Sequence, residues 1–167
     1  MKLKTLRELY IHELKDVYSA ETQLTKALPK MAKAATNEEL ASGFEDHLAQ
    51  TEKQIERLDQ IFEALGVSAA GEKCKGMEGL IAEGSKLMEE DASPEVLDAG
   101  LIAAAQKAEH YEIASYGTLR TWAEMLGEDD AASLLQETLD EEIETDEKLS
   151  EMAESTINVD AETADSD

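Results

Sequence analysis

TLRELYIHELKDVYSAETQLTKALPKMAKAA, residues 5–35, is the stretch from which the fold follows. Tyr10, Leu14, Val17, Leu24, Leu28 and Met31 recur at steps of three and four, which is the period of one helical face. Position 21 completes that series and holds a glutamate instead of an apolar residue. Thr5-Leu6-Arg7-Glu8 reads as a capping box at the helix start. The helix is expected to run to about Ala35, with Pro29 kinking it or breaking it in two.

Four more helices extend this pattern along the chain. A second, capped by Thr36 or Asn37 and closed by Gly66, carries Leu40, Phe44, His47, Thr51, Gln54 or Ile55, Leu58, Phe62 and Leu65 on its inner stripe. Residues 67–76 suit a crossing loop, and a shorter helix is expected over roughly 77–91. Ser93-Pro94 is a start signal for a long helix that Gly127 closes, with Ile102, Ala105, Glu109, Glu112, Tyr116 and Leu119 facing inward. The last runs from about Asp129 to Ser155 or beyond, with Leu135, Leu139, Glu142, Asp146, Leu149 and Ala153 on its stripe. Two long helices, a crossover with a short helix, and two more long helices define an all-α, ferritin-like four-helix bundle spanning residues 1–157. The acidic end, residues 158–167, reads as a disordered tail.

Composition supports one soluble helical domain. The 167 residues are 42% hydrophobic, with only 9 glycines and 2 prolines, and strand-like alternation is absent. Thirty-nine acidic residues against 15 basic ones give a net charge of −24. That charge excludes nucleic-acid binding through phosphates and binding to an anionic membrane surface, both of which need a basic face. The excess itself admits three readings: a solvated acidic surface, a salty cytoplasm that screens self-repulsion, or attraction of metal cations. One cysteine, Cys74, permits no intrachain disulfide, and its surroundings favour a packing role over a reactive thiol. The first residues lack the apolar segment of a secretory signal, and no stretch suits a membrane span, so a cytoplasmic location is expected.

The candidate chemistry lies in the acids placed on apolar stripes. A buried, unpaired carboxylate costs several kcal/mol, so several of them in one core require a cation or a shared proton. Ferritin-like dimetal sites take a Glu from each of two helices and Glu-x-x-His from the other two. Here Glu21 supplies the first helix, His47 with Gln50, Thr51 or Gln54 the second, Glu109 and Glu112 the fourth, and Glu142 and Asp146 the last. The metal set is therefore Glu21, His47, Gln50, Glu109, Glu112, Glu142 and Asp146, with Fe or Mn as the cation. No Glu-x-x-His occurs anywhere in the chain, which leaves an iron oxidase short of nitrogen ligands. In so acidic a chain some glutamates also reach an inner stripe by chance, and rotating the fourth helix by one position puts Glu109 outside. Tyr18, Tyr111 and Tyr116 lie close enough in sequence to donate hydrogen bonds to these carboxylates.

The segments YSAETQLTKAL (18–28), His47 with TEKQIERL (51–58), KCKGMEGLI (73–81), LIAAAQKAEHYEIASYGTL (101–119) and LLQETLDEE (134–142) followed by Thr145-Asp146 resemble the YciF/YciE family of bacterial proteins. The resemblance covers about residues 3–155, and the EHYEIASYGTL segment is its most specific part. It implies a ferritin-like bundle associated with stress responses and a homodimer, with no activity to carry over. Kinship to rubrerythrin-like proteins puts Glu21 at the first-helix ligand position, with Glu109 or Glu112 and Glu142 near the other acidic positions. Three functions compete at this point: a metal-binding stress protein, a metal-free dimeric structural or interaction module, and a dimetal oxidase or peroxidase.

Overall fold

The computed structural model describes residues 3–164. It consists of α1 (Leu6–Ala34), α2 (Glu38–Leu65), α3 (Lys75–Leu87), α4 (Pro94–Leu126) and α5 (Asp129–Met152), then a π-helical turn (Ala153–Ile157) and α6 (Asn158–Thr163). There is no strand among the described residues.

The local signals act where the sequence puts them. The Thr5 side chain accepts the Glu8 N–H at 3.2 Å, and the Glu8 carboxylate accepts the Thr5 N–H at 3.0 Å, which completes the capping box. Asn37, not Thr36, caps α2, with its side-chain oxygen accepting from the N–H groups of Glu39 and Leu40. Gly66 and Gly127 stand at φ +66° and +74°, the left-handed conformation that ends α2 and α4. Pro29 does not break α1. It sits on the exposed face, where the carbonyl left without its N–H donor is free to meet water.

The short helix begins earlier than expected, at Lys75, because Cys74 caps it: the thiol sulfur accepts the Met77 N–H at 3.4 Å. The chain end also departs from the expected tail. Residues 158–163 are helical, and Ile157 is buried against the bundle ahead of them; residues 165–167 of that tail lie outside the described part.

α1 packs chiefly on α2 and α4 chiefly on α5, while α1 also packs on α4 and α2 meets α5 more loosely. The three residues between α1 and α2 and the two between α4 and α5 turn each pair into an antiparallel hairpin. Asp98 ties the hairpins together, its carboxylate accepting from Thr36 N–H (2.8 Å), Thr36 Oγ1 (2.6 Å) and Asn37 N–H (2.8 Å). The apolar core falls into two clusters. One holds Leu24, Leu28, Phe44, Met77 and Leu101; the other holds Tyr10, Leu14, Leu58, Leu119 and Leu135. Between them lies a layer of polar side chains.

Candidate metal centre

Each long helix sends side chains into that layer. α1 contributes Glu21; α2 contributes His47, Thr51 and Gln54; α4 contributes Glu109 and Glu112; α5 contributes Thr138 and Glu142. All are buried, and Glu21, Glu109, Glu112 and Glu142 are each 0% exposed. Spacings of three and four put successive members of a helix on one inward line.

His47 stands between two carboxylates, with Nδ1 3.3 Å from Glu109 Oε1 and Nε2 3.6 Å from Glu142 Oε2. One ligand atom from each of His47, Glu109, Glu112 and Glu142 lies within 4.8 Å of the others. Opposite ligands of an ion bound at about 2.1–2.4 Å stand about 4.2–4.8 Å apart, so these separations are compatible with one shared cation. Glu21 closes the far side. Its Oε1 accepts a hydrogen bond from the Tyr116 hydroxyl, and its Oε2 has no partner.

Both carboxylate oxygens of Glu109, Glu112 and Glu142 likewise lack a hydrogen-bond donor. Burial pushes Glu21 and Glu109 well above the usual carboxylate range, and the neighbouring charge of Glu142 pushes them further. Burial and then the charge of Glu21 do the same to Glu112. Burial thus disfavours the charged form of these groups, and a cation among them would offset that cost by taking the orphaned oxygens as ligands. Three carboxylates and one imidazole suit a hard divalent ion such as manganese or ferrous iron.

Of the residues expected at the site, His47, Glu109, Glu112 and Glu142 come together and Glu21 adjoins them. Gln50 and Asp146 stand apart from the group. Gln50 is half-buried and accepts from Thr145 Oγ1 at 3.5 Å. Asp146 is taken up at the edge by Gln106 Nε2 (3.2 Å) and by the exposed His110 ring (3.3 Å). Tyr116 is the tyrosine that reaches a site carboxylate, whereas Tyr111 donates to Asp16 and touches the Cys74 sulfur at 3.1 Å. Cys74 itself is buried, and burial pushes its thiol up, which suits packing rather than reactivity.

Sequence reading missed the support around the layer. Arg57 forks onto Glu141 with two bonds of 2.7 Å and donates to Thr138 Oγ1 at 3.2 Å, and Gln54 Nε2 donates to Glu141 at 3.1 Å. Although partial burial works against it, Glu141 is held below the usual carboxylate range by Arg57 and Gln54. The position of Thr138, four residues before Glu142, was the available signal.

Two clefts reach the layer. One, about 240 Å³ between α1, α3 and α4, has His47 and Glu109 among its lining residues. The other, about 560 Å³ between α2 and α5, is lined in part by His47, Gln50, Glu39 and Asp46.

The fold and this layer together define a class: four long helices enclosing a carboxylate-and-imidazole cluster that divides their apolar core. The chain belongs to the domain-of-unknown-function family DUF892, whose model matches residues 5–162. It is 53% identical to protein YciF of Escherichia coli strain K12 over 163 residues, 97% of this chain and 98% of that protein. The crystal structure of the E. coli stress protein YciF superposes with a TM-score of 0.90 over 93% of this chain and 99% of its own. YcfI of Rhodopseudomonas palustris, for which a structural role has been suggested, is 49% identical with a TM-score of 0.87, covering 89% of this chain and 95% of its own. A Xanthomonas campestris protein at 25% identity still gives a TM-score of 0.74 over 92% of this chain and 94% of its own. The resemblance read from the EHYEIASYGTL segment and its companions is thereby borne out.

Proposed function

We propose that this is a ferritin-like, stress-associated protein that acts in the cytoplasm as a homodimer and holds iron or manganese in the polar layer of its core. The observation that carries the reading is the set of buried carboxylate oxygens around His47 that no protein donor satisfies. His47, Glu109, Glu112 and Glu142 would hold one ion, and Glu21 would join Glu112 and Glu142 around a second. Charge balance favours the pair: two divalent ions neutralise four carboxylates, whereas one leaves two negative charges in a dry interior. Such ions would supply Lewis acidity and, for iron, electron transfer. The single imidazole in the layer speaks against a nitrogen-rich oxidase centre and for retention of the ion. The stress-protein relative supports the physiological side of the reading.

Elemental mass spectrometry of purified protein tests it. The expected content is about two Fe or Mn per chain, falling sharply in Glu21→Ala. A metal-free product, with or without added metal, would leave the dimeric structural module. The structural role suggested for the R. palustris relative is the observation that favours that second reading. Among the described residues no helix is long and apolar enough to cross a membrane.

A further inference from the structure

The cleft between α1, α3 and α4 has an unusual rim for so acidic a protein. The chain carries 39 acidic and 15 basic residues, yet Lys26, Lys30 and Lys73 all line this cleft, and all three are exposed at its mouth. Glu109, on the buried floor beside His47, is the one acid in the lining. Lys73 bonds to Glu78, but Lys26 and Lys30 have no ion-pair partner among the described residues. The walls are apolar and include Met31, Met77, Leu80, Ile81, Met88 and Ala108. Three methionines give these walls the adaptability that suits flexible alkyl chains.

We propose that this cleft binds a free medium-chain carboxylate, with its head at Lys26 and Lys30 and its alkyl chain directed inward toward His47. The volume, about 240 Å³, exceeds the ~150 Å³ cavity that encloses benzene and on that scale accommodates about eight to ten carbons. Charge sets the orientation. The cationic rim attracts an anionic head, while the apolar walls deeper in the cleft suit the alkyl chain. A cationic or neutral amphiphile gains nothing from the lysines. The proposal requires no metal in the core, so it stands or falls separately from the reading above.

Calorimetric titration of the full-length protein with butanoate, hexanoate, octanoate, decanoate and dodecanoate, each below its micelle concentration, tests it. Each added methylene is expected to tighten binding about fourfold, the gain ending near ten carbons. Octylammonium should bind at least tenfold more weakly than octanoate. The double variant Lys26→Glu/Lys30→Glu changes exposed residues and should keep the fold; it should weaken octanoate at least fivefold and leave octanol unchanged. Ala108→Leu, checked for folding by its melting curve, should weaken every member of the series by filling the cleft. Binding that ignores chain length, equal binding of octylammonium and octanoate, or indifference to the lysine pair would each overturn the proposal.

Discussion

Seen from His47, the cleft toward α1, α3 and α4 is walled by methionine, leucine and alanine and rimmed by three lysines, whereas the cleft toward α2 and α5 presents Glu39, Asp46, Glu151 and Gln50, with Lys148 as its one lysine, paired to Glu144. The difference has a local cause on each side. α4 offers the small side chains of Ala104, Ala105 and Ala108 to the first cleft, with Glu109 on its floor, and Gly84 of α3 lets that helix approach α4 closely at Ala104. α2 and α5 pack loosely, and the groove between them is wide enough for charged side chains. The net charge of −24 is therefore not a uniform coat. Under the two proposals above, a cation and an apolar anion would approach the same histidine from different directions.

The largest effect should follow from the cluster that both clefts share. Manganese at about 100 times its Kd should raise Tm by roughly 5–10 °C for each ion bound. Differential scanning calorimetry should show that rise in the parent protein and its loss in Glu112→Ala. An unchanged Tm in the parent would detach both clefts from any metal centre.

The side of the cluster that no cleft reaches comes next. Tyr116→Phe removes the donor to Glu21 and leaves a buried oxygen unpaired, a cost of about 1–3 kcal/mol. Tm should fall by about 3–10 °C, with the metal content of the purified protein little altered. A loss of metal as large as in Glu21→Ala would make Tyr116 part of the ion's own surroundings.

pH should separate the empty cluster from the filled one. In chelator-treated protein Glu21, Glu109 and Glu112 titrate above their unfolded values of about 4.3. The folded state then binds more protons than the unfolded one. The stability these groups contribute is complete below the unfolded pKa and is lost as pH rises through the raised folded values. Melting curves from pH 5 to 8 should show a falling Tm without metal and a much flatter dependence with manganese. Glu112→Gln should flatten the metal-free curve as well.

The smallest effect is kinetic and bears on the clefts themselves. Glu39→Lys/Asp46→Lys, at exposed positions of the acidic cleft, should slow manganese loading about three- to tenfold in stopped-flow measurements at low salt, and the difference should vanish at 1 M salt. Lys26→Glu/Lys30→Glu should leave the loading rate alone. Equal effects from both pairs would mean that the opposite rims do not divide the traffic.

Much of this was legible in the sequence for a simple reason. A glutamate on an otherwise apolar stripe, as at position 21 between Val17 and Leu24, has nowhere to go but inward. The same logic placed His47, Glu109, Glu112 and Glu142. It could not place Gln50 and Asp146, because spacing identifies a face and not how far around that face the core extends. Asp146 lies at the margin, where Gln106 and His110 each engage one of its oxygens. The helix at 158–163 was hidden because acidic composition argues for disorder, and the buried Ile157 that holds it down is a tertiary fact. The clefts were beyond reach for the same reason: a space between helices depends on how their facing side chains meet, which is a tertiary matter.

The π-helical turn at Ala153–Ile157 sets the rotational phase of the C-terminal segment. An ordinary helix advances about 100° per residue, and the wider turn takes in one residue more before the regular winding resumes. Ile157 thereby points into the bundle, while α6 beyond it buries no side chain of its own. Excision of a single residue from this turn would rotate Ile157 by about 100° away from the bundle and carry α6 off its packing against α4, so the length of the turn sets where the end of the chain lies.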